Sequence, residues 1–135
     1  MTFAGINYLG VLAAALAGWI AGAAWYGVLG RPWLAALGKT RADLKPSAAP
    51  FVISFLAELV MAWVLAGLIG HLGPGAVTLS NGVVSAAFVW LGFVATTLLV
   101  NHRFSGARLA LTLIDGGHWL VVLLVMGAAI GLVGV

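Results

Sequence analysis

Four apolar runs, each long enough for a bilayer crossing of about 20 residues, divide this 135-residue chain between them. They cover approximately residues 3–29, 51–72, 79–100 and 109–134, and the segments between them are short and rich in turn residues. Charged residues make up 7% of the chain, against about 25% in a soluble domain. Most of the surface must therefore face something other than water. Membrane-crossing strands would alternate polar and apolar residues over segments of about 10. These runs are apolar on every side, which predicts helices. The expected fold is all-α: an integral membrane four-helix bundle forming a single transmembrane domain.

The basic residues give an orientation. Arg31, Lys39, Arg41 and Lys45 follow the first run, and Arg103 and Arg108 follow the third, whereas the 73–82 connection and both ends have none. Basic loops stay on the cytoplasmic side. Both termini are accordingly expected on the non-cytoplasmic side of a bacterial cytoplasmic (inner) membrane, with the lipid bilayer as the first partner.

Several function classes are excluded. The absence of cysteine removes disulfides, thiolate metal sites and cysteine nucleophiles. The net charge of +3 comes from loop residues, not from a basic face, so nucleic acid is not an expected partner. "GKT" at Gly38–Thr40 lacks the upstream glycine of a phosphate-binding loop, because position 33 is Trp. No Ser/His/Asp set or Gly-x-Ser-x-Gly is present, and the loops are too short for a soluble catalytic domain. Neither enzyme activity nor a cofactor is expected.

Trp25, Tyr26 and Trp33 gather where the first helix is expected to stop, at Arg31–Pro32. Amphipathic rings favour membrane interfaces, which makes these three interface anchors. Thr40 and Asp43 have capping-box spacing for a short turn in the first loop. Trp33, Leu34 and Leu37 either lay that segment on lipid headgroups or belong to an ordinary surface loop. Small residues recur at four-residue steps, Gly10, Ala14, Gly18 and Gly22, and again at Gly127 and Gly131. Such stripes let helix backbones approach closely in lipid, within one chain or between chains.

The stretches "AAWYGVLGRPWLAALGKT" and "NHRFSGARLALTLIDGGHWLVVLLVMGAAIG" resemble the domain of unknown function 1761 family, small bacterial integral membrane proteins. The resemblance rests on Trp25, Tyr26, Gly30 and Trp33, then on Asn101, Phe104, Asp115, Gly116, Gly127 and Gly131. It implies four helices and leaves activity open.

Ionisable groups inside an apolar run are costly and mark functional sites by default. Glu58 lies well inside the second run, and Asp115 and His118 lie three apart in the fourth, on one helix face. Glu58, His118 and Asp115 can form one polar cluster, with Asn101 a further candidate. The commonest role of such a cluster is polar glue between helices. A proton or ion pathway, a socket for a ligand, lipid or partner, and a metal site are the other readings. The metal reading lacks half of a di-iron ligand set, and no metal is expected. The first functional expectation is a small non-enzymatic structural or accessory subunit, packing with itself or a larger membrane complex. The alternative is a small transporter or proton/ion-conducting protein that uses the Glu/His/Asp cluster.

Overall fold

In the computed structural model, which describes residues 6–134, each apolar run is one long helix. These are α1 (Tyr8–Leu37), α2 (Ala49–Gly70), α3 (Leu79–Phe104) and α4 (Leu109–Val133). All four are long and apolar enough to cross a membrane, and no strand occurs among the described residues. Local chemistry sets the starts. Asn7 is extended and accepts the Gly10 N–H at 3.0 Å, which caps α1. Residue 3, where the first run opens, lies outside the described residues. Thr78 caps α3 in the same way through the Asn81 N–H at 3.2 Å. Pro50 sits in the first turn of α2, where its missing N–H has no helical partner to lose.

One boundary differs from expectation. The first helix does not stop near residue 29 but runs on to Leu37 with Pro32 inside it. Proline removes one donor and crowds the carbonyl four residues back, yet the two further turns are held from outside. Leu34 and Ala36 are buried, and Arg108, at the start of α4, donates to the Ala35 carbonyl at 2.6 Å. The stop is Gly38, left-handed at φ 70°. Its N–H bonds Ala35 O and the Lys39 N–H bonds Leu34 O, the Schellman pattern that a glycine adopts without strain. Trp33, Leu34 and Leu37 thus belong to α1 and not to a separate interfacial segment.

The capping box is present beyond that stop. Asp43 Oδ2 accepts from the Thr40 N–H at 2.8 Å and from its hydroxyl at 3.1 Å, around a 3-10 turn at Arg41–Asp43. Hydrogen bonds to the charged form favour it. They hold the Asp43 carboxyl below its usual range, the Thr40 backbone bond contributing most.

α4 is the central helix. It runs along α1 on one side and along the N-terminal half of α3 on the other, while α2 leans mainly on α1. The α1 register is antiparallel: Gly10 faces Val133, Gly18 faces Met126, and Gly22 faces His118 and Val122. On the other side Gly82 meets the Gly127 backbone, and Gly131 meets Thr78 and Leu79 so closely that a Cβ would strike backbone atoms. Gly18, Gly22, Gly127 and Gly131 all pack helices, and the contacts they make are inside this chain. Between the helices, Leu65, Ile69, Met126 and Ile130 fill the core. Ile20, Phe93 and Leu113 point outward and are exposed, a surface suited to lipid.

Two outcomes follow. Gly127→Val should lower stability by about 1–3 kcal/mol, the usual cost of overpacking, in detergent unfolding followed by circular dichroism. Gly30→Ala, whose new Cβ meets nothing, should be neutral or gain up to ~1 kcal/mol. Similar losses in both would contradict this packing. For Asp43 the lowered value belongs to the folded state, so its stabilisation is full above the ordinary carboxylate range and fades as pH falls through the lowered value. Protection of the Thr40 amide against hydrogen exchange should fade over that acid window in the wild type and show no such dependence in Asp43→Asn.

Candidate functional site

Gly117 decides how α1 meets the N-terminal half of α4. Without a Cβ its backbone is open to the Trp25 ring, and three ring side chains reach three successive residues just before it. Trp25 Nε1 donates to Ile114 O at 3.0 Å, the Tyr26 hydroxyl to Asp115 Oδ1 at 2.6 Å, and Trp90 Nε1 to Gly116 O at 2.8 Å. The Trp25 ring takes the space above Gly117, where a Cβ would come within 2.7 Å of Cζ2. Trp25 and Tyr26, expected as interface anchors, therefore tie α1 to α4. Trp33 packs edge-on against Tyr26 with ring centres 5.4 Å apart.

Trp90 opens a π-helical segment, Trp90–Ala95, in the middle of α3. Such segments widen the turn and loosen the regular bonding. The hydroxyls of Thr96 and Thr97 donate back to Gly92 O at 2.8 Å and Phe93 O at 2.6 Å, so backbone carbonyls at the bulge gain side-chain partners. These threonines bond within their own helix and not across to another.

Beside this junction is a cleft of about 670 Å³ between the halves of the helices nearest the basic loops. α1 contributes Trp19, Gly22, Tyr26 and Trp33, and α2 contributes Phe51, Ser54 and Glu58. Leu98 comes from α3, and Asp115, His118 and Trp119 from α4. Glu58 and His118 each lie nine residues from the start of their helix, about 13 Å along it at 1.5 Å per residue. They are 1% and 7% exposed. The small stripe of α1 makes their room: a Cβ at Gly18 would stand 3.2 Å from Glu58 Oε2, and one at Gly22 would stand 2.6 Å from His118 Nε2.

The expected Glu58, His118 and Asp115 are brought to one cleft but do not bond one another. Asp115 is held by Tyr26, whose ring centre is 4.7 Å from that of His118. His118 packs edge-on against Trp119 at 4.6 Å. Glu58 Oε2 and His118 Nδ1 are buried with no hydrogen-bond partner. Asn101 does not join them: it is exposed near the end of α3, outside the cleft lining. His71 bonds Gly67 O of its own helix, and His102 bonds the Thr112 hydroxyl of α4 at 2.9 Å. Among the described residues, no group of three or more His, Asp and Glu is arranged to hold a metal ion.

Trp19, Ser54 and Trp90 were not singled out from sequence. A tryptophan inside an apolar run carries an N–H that must find an acceptor when buried, and that was the available signal. Trp19 Nε1 uses it on Ser54 Oγ at 3.0 Å and Phe51 O at 3.2 Å, fastening α1 to α2.

Four apolar helices around a polar-floored cleft define a multi-pass membrane protein of the small, loop-poor kind. The chain belongs to the family described as "Protein of unknown function (DUF1761)", whose model matches residues 9–131, in agreement with the resemblance read from its motifs. Comparison with curated proteins and with solved structures gave no match.

The two neighbouring glycines should respond oppositely to the same change. Gly117→Ala should destabilise by about 1–3 kcal/mol as Trp25 is displaced, with a change in tryptophan emission. Gly116→Ala meets open space and should be neutral or gain up to ~1 kcal/mol. Detergent unfolding of both variants checks this, and a loss at Gly116 equal to that at Gly117 would contradict the Trp25 docking.

Proposed function

We propose that the protein is a small, non-enzymatic transporter or proton-conducting protein of the bacterial cytoplasmic membrane, working through the cleft with Glu58, His118 and Asp115. One observation carries this reading: Glu58 and His118 line a single cleft while each keeps a buried polar atom unpartnered. Polar groups that serve only as glue between helices are hydrogen-bonded to a neighbour. An unpaired carboxyl at this depth needs a proton or a cation as its partner. His118 presents an imidazole to the same cleft, a side chain whose ring nitrogens can take up and release a proton.

The basic residues support an orientation with both termini outside, since all six Lys and Arg lie at the cleft end, Arg31 and Arg103 near the ends of α1 and α3 and the other four in or beside the connections that follow. The cleft then faces the cytoplasmic half of the bilayer. The other half is supported as a barrier by the close glycine contacts of Gly10, Gly82, Gly127 and Gly131. A cleft open toward one side suits alternating access better than a fixed pore. An accessory role drew its sequence support from the small-residue faces, and those faces are occupied within the chain, so the cleft is the better-supported centre of function.

Purified protein in liposomes, with a pH-sensitive dye inside, tests the reading. An imposed pH gradient should drive proton movement well above that of empty liposomes. Glu58→Gln and His118→Ala, checked for intact folding by monodisperse elution, should each reduce it at least about tenfold, as loss of a proton-transfer group does. Flux unchanged in both variants would overturn the proposal.

A further inference from the structure

The cleft's chemistry is specific enough to name a ligand class, on the premise that it is the working site proposed above. We infer that the cleft binds a soluble organic monocation with bulky apolar groups around its charge, of the quaternary ammonium or phosphonium class, with Glu58 as its counter-ion. A volume of about 670 Å³ lies within the roughly 300–1,000 Å³ of pockets that hold drug-sized molecules.

The walls present π surface. Trp33, Tyr26, His118 and Trp119 form a continuous series of ring contacts at 5.4, 4.7 and 4.6 Å. Trp19 stands on the α2 side with its indole N–H already committed to Phe51 O and Ser54 Oγ. Aromatic faces attract cations, and aromatic cages are the usual recognition device for quaternary ammonium groups.

The polar inventory favours a cation. No Lys, Arg, Asn or Gln lines the cleft, and its two carboxyls, Glu58 and Asp115, outnumber the one group able to carry positive charge, His118. The Tyr26 hydroxyl donates to Asp115 and the Ser54 hydroxyl donates to Phe51 O, which leaves no free hydroxyl donor for a sugar. The groups that remain are carboxyl oxygens of Glu58 and Asp115 and the His118 ring. Glu58 supplies the second, independent sign of a site: a carboxyl 1% exposed, lining the cleft, with Oε2 unpartnered. The other titratable groups lining the cleft are Tyr26 from α1 and Asp115 and His118 from α4, while α3 contributes Leu98 alone. A cation entering beside Glu58 takes the place of its proton, one proton leaving to water for each cation bound, so the charge of the site is conserved.

Tetraphenylphosphonium and its anionic isostere tetraphenylborate are the probes, with the protein in liposomes of phosphatidylethanolamine and phosphatidylglycerol, whose headgroups carry no quaternary nitrogen. Tetraphenylphosphonium should quench tryptophan emission saturably and release about one proton per cation in weak buffer, and tetraphenylborate should do neither. Glu58→Gln should abolish the proton release and weaken binding at least tenfold. Trp33→Leu, at a half-buried position, should weaken binding about tenfold while keeping the proton release, which covers the case of a poorly folded Glu58 variant. Equal binding of the two isosteres, or binding and proton release unchanged in Glu58→Gln, would overturn the inference. Loss of tetraphenylphosphonium binding when phosphatidylcholine is added would overturn the free cation in favour of a lipid headgroup. Absent cation binding alongside Glu58-dependent proton flux sinks this inference and leaves the transport proposal standing. Cation binding without any flux does the reverse.

Discussion

Everything in this bundle depends on backbone touching backbone along α4. Lipid tails are as apolar as leucine, so helices in a bilayer gain little from hiding apolar side chains and associate through close packing and hydrogen bonds. α4 provides the close packing at both ends of its length. Toward its C-terminus Gly127 and Gly131 press against Gly82, Thr78 and Leu79 of α3. Toward its N-terminus Gly117 admits the Trp25 ring and Gly116 offers its carbonyl to Trp90. α1 matches this helix with its own stripe, Gly10, Gly18 and Gly22.

The same packing explains where the polar groups stand. Gly18 and Gly22 leave α1 without side chains at two levels, and Glu58 and His118 occupy that space from α2 and α4. Wide aromatic side chains then hold the helices apart beside them, which opens a cleft between the halves nearest the basic loops. Tight contact at one end and rings at the other give a bundle closed at one end and concave at the other. The polar floor of the cleft is a consequence of that asymmetry.

Much of the fold was legible in the sequence because the bilayer imposes a coarse rule on it. The four apolar runs, the Thr40–Asp43 box and the small-residue steps each follow from local pattern, and each is present in the structure. The end of α1 was not legible: Pro32 is a strong local stop signal, and the contacts that override it, Leu34 burial and the Arg108 bond to Ala35, come from elsewhere in the chain. The site was legible as a set of residue types but not as an arrangement. Periodicity puts Asp115 and His118 on one face, yet it cannot say that Tyr26 would claim Asp115 or that the Glu58 and His118 atoms would stay unpartnered. Trp90 escaped notice because its partner is a backbone carbonyl 26 residues away, which no local pattern marks.

The central claim is that Glu58 lines the cleft and carries an exchangeable proton. An apolar carbodiimide, which couples to protonated carboxyls reached through lipid, tests it when applied to native membranes and followed by peptide mass spectrometry. The account predicts modification at Glu58, with Asp43, held as a carboxylate in its water-facing turn, left unmodified. An unmodified Glu58 under conditions that label a carboxyl placed by mutation at the lipid-facing Phe93 position would contradict it.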